Sequence, residues 1–517
     1  MTVAGAGRAL TAAILTYVAV RAVAVGQAPP GVRSVGGSGK LFSVPPESAV
    51  YTLNDALLRW PLRSEDERYG TIDGRHLHTF VDEQAAISRR FRDAGHPQYW
   101  GRIIGSSSDE ESAAWLADKF RSIGLSDVRI QSLPITAPLW EPVQPWEIVA
   151  NGDDERLPLT SAQPAYGSVS APRGGLSLEA VYVGTGSEAD FQGRDVRGKV
   201  VVVYSVPLPA ATGETARSER VYRRAEEKGA AAILVLLAVP GNLRVQGYTT
   251  GGKIPTFTLG MEDGYALREM IGRAPSGRAP HISIQFETRA VSNLKSATVW
   301  GRLPGATDET VYVMAHRDGW FDGAGDNASG VASMLGLAEY YAHMTRAQRR
   351  RTIIFMGVSG HHGPAVSSQD LLAHRDELFA KTALLINAEH TSTLQTYLYW
   401  NAIRPANTFS AQFWYAGGPS RPALQDIAIR AFRAFGVPTY AAPEHGAPPG
   451  DLTPLWRCVP TVTTTDFNMY FHSDGETPET VPWTGLEATT RAYAMIIDKT
   501  NALPLADLQR TEEPAGR

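Results

Sequence analysis

Hydrophobic positions in the second half of the chain form short apolar runs that alternate with helical patterns. The runs are VYVMAH from Val311, RRTIIFMGVS from Arg350, TALLINAEH from Thr382 and PTVTTTDF from Pro460. They indicate buried strands, because strands covered on both faces are apolar throughout. Segments between them, such as GVASMLGLAEYYAHM, repeat apolar residues at helical spacing. The alternation predicts an α/β fold with a mixed, largely parallel sheet sandwiched by helices.

A different pattern follows in the middle of the chain. LEAVYVGTG, GKVVVVYS, GAAAILVLL and GKIPTFTL are short β-rich runs bounded by glycines. They predict an inserted β-rich domain at residues 171–290, which divides the larger domain into residues 76–170 and 291–503. In the first part, SSSDEESAAWLADKFRSIGL predicts a helix with a capping box of Ser108 and Glu111.

Both ends of the chain differ from the rest. An apolar run from Ala9 to Val20 behind Arg8 predicts a secretory signal peptide over residues 1–24, and therefore export to the periplasm or the medium. Residues 25–75 are rich in Gly, Pro and Ser and predict an N-terminal arm or linker. Residues 504–517 are interpreted as a tail, in which LQRTEEPAGR is a frayed terminus. We expect no integral membrane segment in the mature chain, since no later apolar run is long enough.

Length and charge limit the class of protein. A chain of 517 residues exceeds the size of a single core, so at least two domains are expected. A net charge of -4 provides no basic field that would hold nucleic acid. The lone cysteine, Cys458, excludes an intrachain disulfide, and its apolar neighbours predict a buried thiol.

Residues of metal-binding type follow four of the predicted strands, where sites form in open α/β sheets. They are His316, Asp318 and Asp326 after the first, His361 and His362 after the second, Glu389 after the third and His472 after the fourth. Each alone has an ordinary explanation, such as a helix cap for Asp326. Together they predict a shared site, because imidazole and carboxylate groups bind zinc and an aspartate can bridge two ions.

These segments resemble the zinc aminopeptidase, glutamate carboxypeptidase and transferrin-receptor-like metallopeptidases. HRDGWFDGAGDNASG looks like the family's His-x-Asp with a later Asp, and RRTIIFMGVSGHHGPAVSS aligns without gaps on its strand and Glu-Glu pair. LLINAEH resembles the strand with an acidic ligand, PGDLTPLWRCVP the Ser-Asp loop, and YFHSDGETPETV the last histidine motif. The resemblance extends from about Tyr69 to Leu503. It implies a phosphorylase/hydrolase-like fold in which the β-rich insert is a protease-associated domain.

The resemblance also implies one or two zinc ions. The implied ligands are His316, Asp326 and Glu389 for one ion, and Asp326, His362 and His472 for the other. Asp318 would orient His316 through its second ring nitrogen. His361 stands where the family has its catalytic glutamate, and His362 where it has a glutamate ligand. Phe471 replaces a tyrosine that the family often carries, and the adjacent Tyr470 would face the opposite way.

The two histidines change the expected chemistry. A neutral imidazole at position 362 removes one negative charge, and a unit-charge pair is worth about 4 kcal/mol at about 4 Å in an effective dielectric of about 20. A single ion is therefore an alternative to two. His361 can still act as a general base, since the ordinary pKa of histidine lies near neutrality.

We expect a metal-dependent exopeptidase or amidohydrolase that cleaves a small peptide or an acyl-amino amide bond. Arg317, Trp320 and Tyr470 are candidates for binding the substrate. Two alternatives stay open: an enzyme for amides that are not ordinary peptides, and a family member without catalysis that acts as a binding or scaffold protein. Amino- or carboxypeptidase direction and oligomeric state are left open as well.

Overall fold

The structure of the chain is a computed structural model that describes residues 59–205, 221–248, 252–399, 402–409, 413–416, 421–439, 448, 450–466 and 468–510. The predicted signal peptide and most of the predicted arm lie outside these residues. The strands are β1 Gly101–Arg102, β2 Ser126–Pro134, β3 Leu139–Asn151, β4 Arg156–Pro158, β5 Gln163–Pro164, β6 Leu176–Tyr182, β7 Val200–Ser205, β8 Ala232–Leu237, β9 Thr256–Leu259, β10 His281–Val291, β11 Lys295–Leu303, β12 Thr310–His316, β13 Gly319–Trp320, β14 Thr352–Val358, β15 Thr382–Asn387, β16 Leu394–Tyr399, β17 Ala402–Phe409, β18 Phe413–Ala416 and β19 Thr461–Thr465. The α-helices are α1 Gly74–Asp93, α2 Ser107–Ile123, α3 Glu188–Phe191, α4 Val221–Glu227, α5 Met261–Arg273, α6 Ser329–Ala342, α7 Val366–Ala373, α8 Arg375–Leu378, α9 Pro422–Ala434, α10 Trp483–Asn501 and α11 Leu505–Gln509.

The first sheet has seven strands in the order β18-β19-β15-β12-β14-β11-β2. Its four adjacent strands β19, β15, β12 and β14 are parallel to one another. The outer strands β18, β11 and β2 are antiparallel to their neighbours. The sequence-based prediction of a mixed α/β fold is therefore confirmed.

Helices cover both faces of this sheet, and alternating residues of β12 show why. Val311 and Val313 point into a core shared with helices α1, α2, α6, α9 and α10. Tyr312 and Met314 point into a core on the opposite face, which Leu371 of α7 also joins. A strand buried on both faces must be apolar at every position, as the pattern of β12 is.

The second sheet has eight strands in the order β4-β3-β10-β6-β7-β8-β9-β5. The chain leaves the first sheet after β2, builds the second sheet, and returns as β11, which pairs with β2. The segment that forms the second sheet is therefore inserted between β2 and β11, which are neighbouring strands of the first sheet. It includes β3 to β5, which precede the predicted start of the insert at residue 171.

Helix α2 confirms one boundary signal and contradicts another. Gly124 ends the helix with a φ of 92°, as its position predicted. The predicted capping box is wrong, because Ser106 is the N-cap residue and Ser108 lies inside the first turn. The Ser108 hydroxyl accepts a hydrogen bond from the Ile103 N–H, and Glu111 pairs with Arg90.

Two other local predictions are wrong. The Cys458 thiol is exposed, since the following strand begins only at Thr461. The predicted frayed terminus is ordered where it begins, because Leu508 of α11 is buried and its carbonyl accepts a hydrogen bond from Arg421. Among the residues that the structure describes, no helix is both long enough and apolar enough to cross a membrane.

A buried arginine holds the loop that leads from β12 to α6. Strand β1 pairs with β13, which places Arg102 opposite Gly319. The Arg102 guanidinium donates to the carbonyls of Arg317 at 2.7 Å, Asp322 at 2.6 Å and Gly323 at 3.0 Å. Burial lowers the pKa of Arg102 to about 10, although nearby carboxylates favour its charged form. The loop therefore depends on one fully buried cation.

We predict that Arg102→Ala lowers the free energy of unfolding by about 3–5 kcal/mol, because it leaves several buried carbonyls without a donor. Urea denaturation of the purified protein measures this. Arg156→Ala is the matched control: its side chain is 61% exposed and pairs with Glu147 on the surface, so a change below about 1 kcal/mol is expected. Equal effects of the two substitutions would contradict the role assigned to Arg102.

Candidate metal centre

Four parallel strands of the first sheet end at the same edge and deliver the predicted site residues there. His316 is the last residue of β12. The turn after β14 carries His361 and His362, and Glu389 follows β15 by two residues. His472 lies in the loop after β19. The structure thus brings together side chains that are far apart in the sequence.

Asp326 lies at the centre of this group. It belongs to the turn Ala324–Ala328 that leads into α6, and it is buried. Its Oδ1 lies 3.1 Å from His316 Nε2 and 3.1 Å from His390 Nε2. Its Oδ2 lies 3.1 Å from His362 Nε2 and 2.9 Å from His472 Nε2. Each carboxylate oxygen therefore faces two imidazoles.

Hydrogen bonds on the far side of two rings fix where their protons lie. The Nδ1 of His316 is 3.1 Å from the carbonyl oxygen of Asp318, and the Nδ1 of His390 is 2.7 Å from that of Asp466. A carbonyl can only accept, so each Nδ1 carries the hydrogen. In the neutral ring Nε2 then turns a lone pair toward Asp326. Acceptors that face a carboxylate at 3.1 Å need a proton or a cation between them.

These side chains fit a zinc-like cation. The Nε2 atoms of His316 and His362 and the Oδ1 of Asp326 are buried and have no hydrogen-bond partner among the described residues. Two ligands that are each about 2 Å from one tetrahedral zinc stand about 3.3 Å apart, close to the separations around Asp326. Glu389 joins His316 and His390 in a group whose ligand atoms lie within 4.8 Å of one another. Nitrogen and oxygen donors of this kind suit zinc.

Charge divides the imidazoles into two kinds. Burial lowers the pKa of His362 and brings the pKa of His472 to about 4, so both rings are neutral at pH 7. Burial would also lower the pKa of His390, but the charge of Asp326 outweighs it and raises that pKa to about 9. A divalent cation that binds at Oδ1 must therefore displace a proton from His390.

The tight turn with the two histidines is held by Asp318. Its carboxylate accepts hydrogen bonds from the N–H groups of Gly360 at 3.2 Å and His362 at 3.0 Å. Gly360 has a φ of 105°, which a residue with a side chain rarely adopts. The predicted role of Asp318 needs correction, since its backbone carbonyl, rather than its carboxylate at 3.8 Å, orients His316.

His361 is held by a second buried carboxylate. Its Nδ1 lies 3.1 Å from Asp451 Oδ2, and the Ser368 hydroxyl donates to Asp451 Oδ1 at 2.8 Å. Burial would lower the pKa of His361, but the hydrogen bond and charge of Asp451 raise it well above its usual value. The ring stacks on His316 at 3.9 Å between centroids, and its Nε2 is 4.0 Å from Glu389 Oε1.

A glycine permits this approach. Gly450 has a φ of 71°, and a Cβ at this position would lie 2.7 Å from Glu389 Oε1 and 2.8 Å from the Cε1 of His361. Real side chains do not tolerate such contacts. Glycine at position 450 therefore lets Asp451 and His361 meet beside Glu389.

Aromatic rings form the wall around the histidines. Trp320 stacks on His362 at 4.2 Å, and Phe471 stacks on His472 at 3.7 Å, measured between ring centroids. The Tyr248 hydroxyl reaches from the second sheet to within 3.3 Å of His362 Nδ1. Trp320 therefore lies against a predicted ligand, and its contact with a substrate stays a prediction.

Arg317 and Tyr470, both predicted to bind substrate, point elsewhere. The Arg317 guanidinium is buried and donates to Asp109 and to the carbonyl of Ala297 at 2.8 Å. Tyr470 packs in a small core with Val239 and Met469. The geometry of the described residues therefore gives neither side chain a place beside the histidines.

Four site residues were missed at the sequence level: His390, Asp451, Glu476 and Tyr248. His390 lies in LLINAEH and Asp451 in PGDLTPLWRCVP, and both segments resemble family motifs. Glu476 accepts hydrogen bonds from the N–H groups of Asp326 at 2.7 Å and His472 at 2.9 Å. Its place four residues after a predicted ligand was a signal in the sequence that it lies at the site. Tyr248 had no signal in the sequence, since it comes from the other sheet.

Comparison with known proteins gives three kinds of result. Residues 298–497 match peptidase family M28. Carboxypeptidase Q of Mus musculus is 21% identical over 367 residues, which cover 64% of this chain and 75% of that protein. Carboxypeptidase Q of Xenopus laevis is 28% identical over 244 residues, 43% of this chain and 48% of that protein. The matched residues therefore span 75% of the first relative and 48% of the second.

Solved structures share the fold. A zinc aminopeptidase from Bacillus subtilis aligns with a TM-score of 0.58 at 18% identity, over 83% of this chain and 94% of that one. A peptidase M28 precursor from Shewanella amazonensis aligns with a TM-score of 0.63 at 18% identity, over 87% of this chain and 98% of that one. At such identity the likeness concerns the fold alone.

We predict that His362→Ala weakens zinc binding on the order of 100-fold or more, because the ring faces Asp326 directly. Competition with a chelating dye measures the affinity. His374→Ala is the matched control, since this histidine is exposed and pairs with Asp370, one turn earlier in the chain. Loss of zinc in His361→Ala with full retention in His362→Ala would show that the two positions are assigned the wrong way round.

Proposed function

Because the chain belongs to peptidase family M28, a family of zinc metallopeptidases, we propose that it hydrolyses the amide bond of a small peptide or an acyl-amino compound. The Asp326 carboxylate supports this most directly, since four imidazole Nε2 atoms lie within 3.1 Å of its two oxygens. A buried anion surrounded in this way is suited to hold cations. The proposed enzyme is thus an exopeptidase or amidohydrolase with a nitrogen-rich centre.

We assign two ion positions, one beside each oxygen of Asp326. His316, His390 and Glu389 would complete the position at Oδ1, and His362 and His472 the position at Oδ2. Bound there, zinc would polarise the scissile carbonyl and lower the pKa of a water molecule. Asp326 would bridge the two positions. His390 adds a ligand to the set that the sequence predicted.

His361 is proposed as the general base. Its ring lies against His316, and its Nε2 faces Glu389 inside the site. Asp451 accepts the hydrogen of Nδ1, and cations bound at the neighbouring ligands would oppose the rise that Asp451 causes in the pKa of His361, so the lone pair of Nε2 would be free to take a proton from the attacking water. The same nitrogen can return that proton to the leaving amine.

Asp451 is proposed as the residue that positions His361. It selects the tautomer with hydrogen on Nδ1, and its charge stabilises the imidazolium that forms when Nε2 accepts a proton. Ser368 keeps the carboxylate in place through Oδ1. Asp451 and Ser368 thereby fix the orientation of the His361 ring.

We also propose that the second sheet is a protease-associated domain and that residues 1–24 direct export. The insertion of a β-rich sheet between paired strands β2 and β11 supports the first point, and the apolar run near the N-terminus the second. An experimental structure whose second sheet differs from protease-associated domains would contradict the first.

Export predicts that the mature protein begins near residue 25. N-terminal sequencing of protein recovered from the culture medium or the periplasm measures this. The full-length chain in the cytoplasmic fraction is the comparison. Recovery only of a chain that starts at Met1 would contradict export.

We predict that zinc-loaded wild-type protein cleaves dipeptides, aminoacyl p-nitroanilides or acyl-amino amides, and that a chelator abolishes this activity. His361→Ala should lower kcat about 100-fold or more with zinc retained, because it removes the base but no ligand. Assays across these substrates, with elemental analysis of each protein, measure both effects. Protein that binds no zinc and cleaves none of them would favour the scaffold alternative.

Asp451→Asn tests the positioning of His361 while the histidine itself is kept. An asparagine amide can donate to Nδ1 and so favours the tautomer with hydrogen on Nε2, which cannot accept a proton. The expected loss in kcat is about 100-fold or more. Asp426→Asn, in an exposed pair with Arg430, is the matched control and should leave kcat unchanged. Full activity of Asp451→Asn would show that His361 does not depend on this carboxylate.

A further inference from the structure

One segment of the second sheet's domain is fastened to the metal centre. The N–H of Gln246 donates to the carbonyl of His472 at 2.8 Å, and Val245 forms a β-bridge with Ser473. The N–H of Arg244 donates to Asp474 Oδ1 at 3.0 Å. Backbone hydrogen bonds thus hold residues 244–246 beside the loop that carries His472.

The other side of the same segment is held by its own domain. The N–H of Tyr166 donates to the carbonyl of Gly247 at 2.8 Å, and Tyr166 forms a bridge with Tyr248. The Gln246 side chain donates to the carbonyl of Pro164 at 2.9 Å. The backbone that carries Tyr248 is therefore fixed from both sides, which sets the direction of its side chain.

Tyr248 places a phenol at the centre. Its ring lies 5.2 Å from Trp320 and 6.0 Å from His472, measured between centroids. Its hydroxyl is 3.3 Å from His362 Nδ1. With a cation held by His362 Nε2, Nδ1 would carry the ring hydrogen and donate it to the phenol oxygen. The hydroxyl hydrogen of Tyr248 is then directed to another acceptor.

Other rings around the site supply no comparable donor. Phe471, which stacks on His472, has no polar atom. The indole of Trp320, which stacks on His362, carries an N–H rather than an O–H. Among these three rings, only Tyr248 offers an O–H. Nearly half of the residue is exposed, so a substrate entering from solvent can reach it.

We propose that Tyr248 is a catalytic residue that donates a hydrogen bond to the substrate oxygen which becomes negative when water adds to the scissile carbonyl. This inference rests on the proposed hydrolysis. Water's oxygen bonds to the carbonyl carbon, the C–O π electrons move onto the oxygen, and His361 takes the proton. Tyr248 keeps its own proton and stabilises the oxyanion as a neutral donor. The second sheet's domain thereby completes the site of the first.

The test is Tyr248→Phe in the full-length, zinc-loaded protein. Removing one such donor lowers kcat on the order of 100-fold. KM and zinc content should stay within about twofold, because the phenyl ring preserves the packing on Trp320 and the bond acts only in the transition state. A phosphinic dipeptide, whose tetrahedral oxygen imitates the oxyanion, should bind about 100-fold more weakly to the variant, as measured by calorimetry.

Tyr265→Phe is the matched control, because Tyr265 lies on helix α5 and its ring stacks on Tyr204. It should change none of these quantities. Unchanged kcat and phosphinic-peptide affinity in Tyr248→Phe would overturn the proposal while the hydrolytic function stands. A fall in zinc affinity that accounts for the whole loss would also overturn it, since Tyr248 would then act only through His362. A zinc-loaded wild type without turnover would overturn both proposals together.

Discussion

A buried carboxylate that gathers four imidazoles, and whose Oδ1 has no hydrogen-bond partner among the described residues, determines the structure of the site. Asp326 faces imidazole nitrogens from four separate segments, and two of those rings have already given their Nδ1 hydrogen to backbone carbonyls. Acceptors collected around an acceptor repel one another unless positive charge lies between them. The turns after β12, β14, β15 and β19 are therefore arranged as they would be around shared cations. The parallel strands make this possible, because their carboxyl ends lie at one edge of the sheet.

Further carboxylates lie one step outside the ligand atoms and tie these turns together. Asp318 binds the turn of His361 and His362, and Glu476 binds the backbone at Asp326 and at His472. Burial, followed by the charge of Asp326, raises the pKa of Glu476 to about 8, and a cation close by favours its ionised form. A neutral imidazole in place of a carboxylate ligand removes one charge at the ion. The outer carboxylates return negative charge to the centre at a greater distance, where they also fix backbone.

The alternation of apolar strands and helices was sufficient to predict the α/β fold, because a strand covered on both faces leaves that pattern in any sequence. It also predicted that strand ends would carry the ligand-type residues. Side-chain direction beyond a strand end was not predictable. Glu389 and His390 both face the centre although they are neighbours, since His390 has a φ of 45° and the chain is no longer extended there. Arg317 follows a predicted ligand yet turns to Asp109, a partner on α2 that periodicity does not reveal.

The proposed role of His361 as a base depends on the residues around its ring. A carboxylate base needs no partner to choose its protonated atom, whereas an imidazole must have one nitrogen occupied before the other can accept a proton. Asp451 supplies that partner, and it reaches His361 only because position 450 is a glycine next to Glu389. The histidine, the aspartate and the glycine come from two distant segments and are of use only together. The proposed role of His361 as a base therefore depends on all three residues together.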